Sequence, residues 1–430
     1  MDKLVIEGGS PLEGELRISG SKNAGLPILI STLLAPGVHK LSNVPNLVDI
    51  SSTLSLLGRI GAPSLREEGS EEVQIDTTRI SFSEAPYEVV RKMRASVLVL
   101  GPLLARMGHA RVSLPGGCAI GVRPIDQHLK GLEALGCTFD LVGGYIEGKV
   151  DQLRGAEIQL DMPTVGGTEN ILMAAVLADG ITVIENAARE PEVVDLANHL
   201  KAMGARIKGA GTSRIEIDGV PALRPPREPY SIMSDRIEAG TYMLGAAMSK
   251  GDVLFTNVPI DCLRLFLGNL MSTGVLVEEK DRTIRIKSSE RMNPISIETA
   301  PHPGFATDMQ AQWMAAMSIA HGSCLITERI FENRFMHVPE LNRMGASIQI
   351  RGNSAYVQGT ESLNGTSVMA TDLRASASLV LAGLIAAERT EVLRIYHLDR
   401  GYDRLVQKLR GVGAKIARVS SDTDAYSVEF

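Results

Sequence analysis

One short phrase recurs six times along the chain: Leu, two variable residues, usually an aliphatic, then Gly followed by a small or branched residue. The copies end at Leu57…Gly61, Leu132…Gly136, Leu200…Gly204, Leu270…Gly274, Leu341…Gly345 and Leu409…Gly413, with the glycines 75, 68, 70, 71 and 68 residues apart. That period is too long for a solenoid unit and suits a small αβ subdomain. Leu and the aliphatic residue face a core, and Gly supplies the left-handed residue that ends a helix. Period-two stretches follow, such as Arg206-Ile207-Lys208 with Arg214-Ile215-Glu216-Ile217, and these read as hairpins. Upstream sits a strand such as Ile181-Thr182-Val183-Ile184-Glu185, and before it a far more apolar helix. The predicted unit is helix, strand, helix, hairpin.

The apolar helices set the architecture. Ser376 to Ala387 carries no charge on any face, Ile171 to Ala178 carries none, and Ile237 to Met248 has only Glu238. A helix apolar all round is buried all round, yet these runs fall short of the roughly 20 residues a membrane span needs. The expected fold is α/β: two similar inside-out domains, each of three repeats, with helices inside and sheets at the surface. The proline-rich stretch Pro221 to Pro229 separates the third and fourth copies. We place the first domain at 21–229 and the second at 1–20 plus 230–430, with the active site in the cleft between them. The tail after Val419 fits no copy of the repeat.

A net charge of −6 argues against general affinity for nucleic acid. The four cysteines, Cys118, Cys137, Cys262 and Cys324, lack metal-site spacing. Free thiols, together with no leader or membrane-span pattern, fit a cytoplasmic protein. No metal or cofactor is expected, and the oligomeric state is not readable.

The chemistry concentrates at the starts of the buried helices. Lys22-Asn23 opens the first and Arg94-Ala95-Ser96 lies in the second. Thr164-Val165-Gly166 opens the third, and Asp235-Arg236, Thr307-Asp308 and Asp372-Leu373-Arg374 open the others. Helix N-termini present free N–H groups and partial positive charge, so with added Lys and Arg they favour anions. Thr and Asp there are also ordinary N-caps, and for any single helix that is the commoner reason. One segment breaks the repeat: Leu114-Pro115-Gly116-Gly117-Cys118-Ala119-Ile120-Gly121-Val122-Arg123-Pro124 reads as a glycine loop. Such a loop can close over ligand, and Arg123 near Cys118 would favour its thiolate. Cys137, Cys262 and Cys324 read as inert packed thiols.

These motifs resemble the enolpyruvyl transferases, and within that family the members acting on a UDP-linked amino sugar. The matching pieces include Ser19-Gly20-Ser21-Lys22-Asn23-Ala24, Met93-Arg94-Ala95-Ser96, the Cys118 loop through His128, and Glu185-Asn186-Ala187-Ala188-Arg189-Glu190-Pro191-Glu192. Thr307-Asp308-Met309-Gln310-Ala311-Gln312, Phe331-Glu332-Asn333-Arg334-Phe335-Met336-His337, Thr371-Asp372-Leu373-Arg374 and His397-Leu398-Asp399-Arg400-Gly401-Tyr402 continue the family's order. Thr164 stands where the family often has Ser, and Gly167 where it often has Ala. The resemblance implies transfer of the enolpyruvyl group of phosphoenolpyruvate to the 3′-hydroxyl of UDP-N-acetylglucosamine with release of phosphate, the first committed step of peptidoglycan synthesis. It implies catalytic roles for Cys118, Asp308, Lys22 and Arg400, and a phosphoenolpyruvate clamp of Lys22, Asn23, Arg123 and Arg400. The sugar nucleotide would meet Arg94, Arg123, Pro124, Ile125, Asp126, Gln127, Thr164, Val165, Gly166, Asp308 and Ile330. His128, Arg334, Asp372 and Arg374 would support them, and Cys118 would be the target of fosfomycin. Enolpyruvyl transfer to shikimate 3-phosphate is the main alternative, against which the cysteine loop argues. A non-catalytic paralogue would lack Lys22, Cys118, Asp308 or Arg400, and all four are present.

Overall fold

The computed structural model of the chain describes all residues except Met1, Pro86, 88–93 and 115–124. The six repeat glycines all end helices with left-handed backbone, φ running from 91° at Gly413 to 108° at Gly204. A residue with a Cβ pays roughly 1–2 kcal/mol in that conformation, which is why the phrase needs glycine. The amides of Ala62, Cys137, Ala205, Ala346 and Ala414 reach back to the leucine carbonyls of Leu57, Leu132, Leu200, Leu341 and Leu409. The phrase is thus a helix stop of the Schellman type.

The apolar helices are α1 (Lys22–Ser31), α2 (Leu100–Met107), α3 (Val165–Ala175), α4 (Arg236–Met248), α5 (Gln310–Met317) and α6 (Leu373–Ile385). α4 and α5 are buried along their whole length, and α6 nearly so. Close backbone approach makes this packing possible: a Cβ on Gly101 of α2 would stand 2.4 Å from the Asn170 carbonyl oxygen of α3.

Among the described residues the strands form six four-stranded sheets. In the third, Glu157–Gln159 runs parallel to Ile181–Glu185, which pairs antiparallel with Arg214–Asp218, and that strand with Arg206–Lys208. The other five repeat this pattern. The repeat therefore opens with a strand ahead of the buried helix, a strand of only two to five residues that periodicity does not reveal.

The chain divides into two compact units, one holding Met1–Ser19 and Ser234–Phe430, the other the described residues from Gly20 to Met233. The first stretch contributes twice to its unit. Asp2–Glu7 takes the place of the inner hairpin strand in the last sheet, between Arg389–Leu393 and Lys415–Ser420. Glu13–Arg17 is the parallel opening strand beside Asp252–Thr256. In the other unit, Tyr230–Ser231 pairs in parallel with Leu41 and Ser42, which carries that unit a few residues beyond Pro229. Each unit has its own apolar core. In the unit containing α5, Trp313 is fully buried against Phe266 and Phe305, and its indole N–H donates to the Ile295 carbonyl at 3.1 Å. The tail after Val419 packs on the last sheet: Ala425 and Val428 cover Val5, and Arg389 donates to the Ala425 carbonyl at 2.6 Å. Among the described residues, no helix is long and apolar enough to cross a membrane.

Candidate active site

In the unit from Gly20 to Met233, α1 begins with Ser21 as N-cap, its hydroxyl accepting from the Ala24 amide. Lys22 follows and is almost fully buried. Its ammonium sits 2.8 Å from the Asp49 carboxylate, whose side chain is 3% exposed. Asp49 lies in the first turn of the outer helix Val48–Ile60. An ammonium this deep needs a carboxylate beside it to stay charged. Asn23 is half-buried next to it.

At the start of α3, the Thr164 hydroxyl accepts from the Gly167 amide at 3.3 Å, so capping is one thing this residue does. Thr164, Val165 and Gly166 are partly exposed, and a first helical turn leaves its N–H groups without intrahelical partners. Ile125 and Asp126 open the neighbouring helix Asp126–Ala134. The Gln127 side chain is buried and spent on protein partners, Asp126 and Asp161. His128 is also buried. Asn170 donates to its Nδ1 at 3.1 Å and to the Val97 carbonyl at 3.1 Å, while accepting from the Gly101 amide at 2.7 Å. The acceptor role of Nδ1 leaves Nε2 as the protonated nitrogen of the neutral ring. This network steadies the 3-10 turn Arg94–Val99, which begins at the expected Arg94.

The other unit centres on Asp308, in the 3-10 turn Thr307–Met309 ahead of α5. Unlike Asp235 and Asp372, which stand at the N-caps of α4 and α6 and accept from backbone amides there, Asp308 stands inside its turn, whose N-cap is Ala306. Cations hold it. Arg334 reaches one oxygen at 2.8 Å, and Arg374 reaches the other through Nε at 3.2 Å and Nη2 at 3.1 Å. Both arginine side chains are buried, at 5% and 2% exposure, while Asp308 keeps 27%. Burial alone would lower the Arg374 pKa, but Asp308, Tyr402 and Asp235 outweigh it and raise it. The Gln312 amide donates to the Asp308 carbonyl, Thr241 and the Tyr402 hydroxyl, fixing the turn from behind. Burial brings the His337 imidazole down to about 4, with Arg334 adding to the effect and Asp372 opposing it. Arg400 ends the half-exposed turn Ile395–Arg400. Burial, then Arg400, lowers the pKa of His397 in the same turn.

Two site residues escape a reading of the sequence. Asp49 reads there as an acidic residue in a first helical turn, placed to complement the helix dipole. Glu328 reads as a strand end. It accepts from the hydroxyls of Thr299 and Thr307 at 2.8 Å each and from the amides of Ile330 and Phe331, so it shapes the segment that carries Ile330. Its one signal is the run of matched residues that follows it. Cys118, Arg123 and Pro124 lie outside the described residues. Burial pushes the thiols of Cys137 and Cys324 up to about 12, with Glu133 adding to the effect at Cys137.

A family profile described as EPSP synthase (3-phosphoshikimate 1-carboxyvinyltransferase) matches residues 6–409. The chain belongs to this family of enolpyruvyl transferases. Within it, the chain is 56% identical to the UDP-N-acetylglucosamine 1-carboxyvinyltransferase of Geotalea uraniireducens (strain Rf4), over 97% of this chain and 100% of that protein. A protein of Carboxydothermus hydrogenoformans named UDP-N-acetylglucosamine 1-carboxyvinyltransferase 2 is 54% identical, over 98% of this chain and 100% of its own. Among solved structures, the enolpyruvyl transferase NikO from Streptomyces tendae superposes with a TM-score of 0.89 at 25% identity, covering 97% of this chain and 99% of that one. An EPSP synthase from Acinetobacter baumannii, at 20% identity and a TM-score of 0.79, shares the fold over 98% of this chain and 100% of its own. The repeated architecture described above is thus the fold these solved structures share.

Proposed function

We propose that the chain transfers the enolpyruvyl group of phosphoenolpyruvate to the 3′-hydroxyl of UDP-N-acetylglucosamine, releasing phosphate. The observation that carries this reading is 56% identity along the full length of a relative bearing that activity in its name, together with charged groups suited to both substrates. The sugar oxygen bonds to C2 of phosphoenolpyruvate, a proton adds to C3, and the hydroxyl proton goes to a base. The tetrahedral adduct then loses phosphate by breaking its C2–O bond and loses a proton from C3, which restores the double bond.

Asp308 is the group proposed to accept from the sugar hydroxyl. Two buried guanidiniums fix its oxygens, so its remaining lone pairs have a set direction before substrate arrives. The same guanidiniums are fixed donors beside the place where an anionic adduct forms. Lys22, with Asn23, Arg123 and Arg400, is assigned to the phosphate and carboxylate of phosphoenolpyruvate. The first-turn amides of α3 and Arg94 are assigned to the diphosphate. Cys118 is assigned as the acid for C3.

A phosphate-release assay tests the reading. With phosphoenolpyruvate present, UDP-N-acetylglucosamine should give phosphate and a sugar nucleotide heavier by one enolpyruvyl group. The family profile is named for shikimate 3-phosphate, so that acceptor is the proper control. Turnover with it, and none with the sugar nucleotide, would overturn the proposal.

A further inference from the structure

The lead-in to α3 is exposed. Asp161, Met162 and Pro163 all face solvent, yet they deliver the chain into a helix that is buried from Gly167 onward. One buried side chain ties this lead-in down. Gln127, 5% exposed, donates from Nε2 to the Asp161 carboxylate at 2.8 Å and accepts the Asp161 backbone N–H on Oε1 at 2.9 Å. The same Nε2 lies 3.2 Å from the Asp126 carboxylate. Lys130, one turn along the same helix, holds the other Asp161 oxygen at 2.5 Å. Lys130 first and then Gln127 keep the Asp161 carboxyl below its ordinary pKa range. Behind the lead-in, Leu160 is anchored at both ends, its amide to the Glu185 carbonyl and its carbonyl to the Asn186 side chain. The segment is therefore fixed at Leu160 and again at Asp161, just before the first-turn amides of α3.

We infer that Gln127 is a positioning residue: its amide clasps Asp161 and so sets where the N-terminus of α3 stands to receive the diphosphate of a nucleoside diphosphate sugar. This rests on the proposed function for its substrate, but the clasp itself is a property of the free protein. Its side chain acts through Asp161. A glutamine is suited to the place because it must both donate to a carboxylate and accept from an amide, which Glu and Leu cannot do.

Three variants test this. Gln127→Leu removes both bonds at similar volume, and Gln127→Glu sets a carboxylate against Asp126 and Asp161. Each should raise the KM for UDP-N-acetylglucosamine roughly tenfold, the usual scale for a lost hydrogen bond to a charged group. The KM for phosphoenolpyruvate and kcat should move less than about twofold. Combining Gln127→Glu with Asp161→Asn restores a donor opposite the new carboxylate and should return the sugar-nucleotide KM to within about threefold of the parent. Unchanged KM in both single variants, equal losses in all three constants, or no recovery in the double variant would each overturn the assignment. Amide hydrogen exchange, read without substrate, separates this from a failure of the functional reading. Gln127→Leu should speed exchange at the Asp161 amide about tenfold, and an unchanged rate would refute the clasp even if the parent enzyme turns over as proposed.

Discussion

The start of α1 and the turn ahead of α5 occupy matching places in the repeat and solve the same electrostatic problem in opposite ways. At α1 the functional group is a cation, Lys22, balanced one-to-one by the buried Asp49. At α5 it is an anion, Asp308, held by two buried cations, Arg334 and Arg374. The first arrangement is neutral and can be exchanged for another neutral pair. The second sets two guanidiniums against the Asp308 carboxylate, with Asp235 as a further acidic neighbour of Arg374. A common fold therefore fixes where a charged group stands, and the neighbours packed around it decide what that group can do.

The sharpest way to break the comparison is to delete each centre. Lys22→Ala should lower turnover by about 10³-fold, the scale for losing one preorganised electrostatic contact in a site. It also leaves Asp49 without this cation and should cost about 3–5 kcal/mol of stability. Adding Asp49→Ala should recover most of that stability and none of the turnover, measured by denaturant unfolding and phosphate release. Asp308→Ala should behave differently. It leaves two guanidiniums facing each other, and adding Arg374→Ala should recover only part of a similar loss because Arg334 remains buried. Full recovery there would contradict the two-to-one description.

Acid should affect the two units unequally. Burial, with His39 nearby, brings His199 down to about 3, and His337 stands at about 4, both from an ordinary 6.5. An unfolded chain then binds more protons than the folded one below pH 6.5, so folding stability falls as pH drops through that window. The loss runs on to about pH 3 for His199 and stops near pH 4 for His337, with a slope of about 1.4 kcal/mol for each step of one in pH. The stability advantage of the parent over His199→Gln should therefore shrink across a wider pH range than its advantage over His337→Gln. Unfolding midpoints at a series of pH values would show it, and equal ranges would remove this difference between the units.

The smallest effect tests what the units share. Gly204 has no neighbour within 4 Å of where a Cβ would stand, and Gly413 has only ordinary contact with the Pro11 carbonyl at 3.7 Å. Gly204→Ala and Gly413→Ala should each cost about 1 kcal/mol, from the backbone conformation alone. Gly61→Ala should cost more, because its Cβ would meet the Ser81 amide at 2.8 Å.

What is legible in the sequence follows from how local the signal is. The six glycine stops, the uncharged helices and the hairpins are written in contiguous residues, and so is the placement of Lys22, Asp308 and Arg374 at helix starts. The partners are not. Asp49 for Lys22, Arg334 for Asp308 and Asp161 for Gln127 lie 26 or more residues away, and no periodicity links them. The borrowed strands are hidden for another reason: Tyr230–Ser231 is two residues long, and Asp2–Glu7 joins a sheet whose other members lie near the chain's far end. Asp372 shows the limit from the other side, since the same residue type at the same place in the repeat is a cap.

The central claim is that a sugar oxygen takes the enolpyruvyl group at carbon, so the C–O bond of phosphoenolpyruvate breaks and its P–O bond does not. Phosphoenolpyruvate carrying oxygen-18 in the bridging position, turned over with UDP-N-acetylglucosamine, tests this directly by mass spectrometry of both products. The account predicts that the label leaves entirely with phosphate, while the sugar nucleotide gains an unlabelled enolpyruvyl ether. Label retained in pyruvate, with the sugar nucleotide unchanged, would mean hydrolysis at phosphorus and would contradict it.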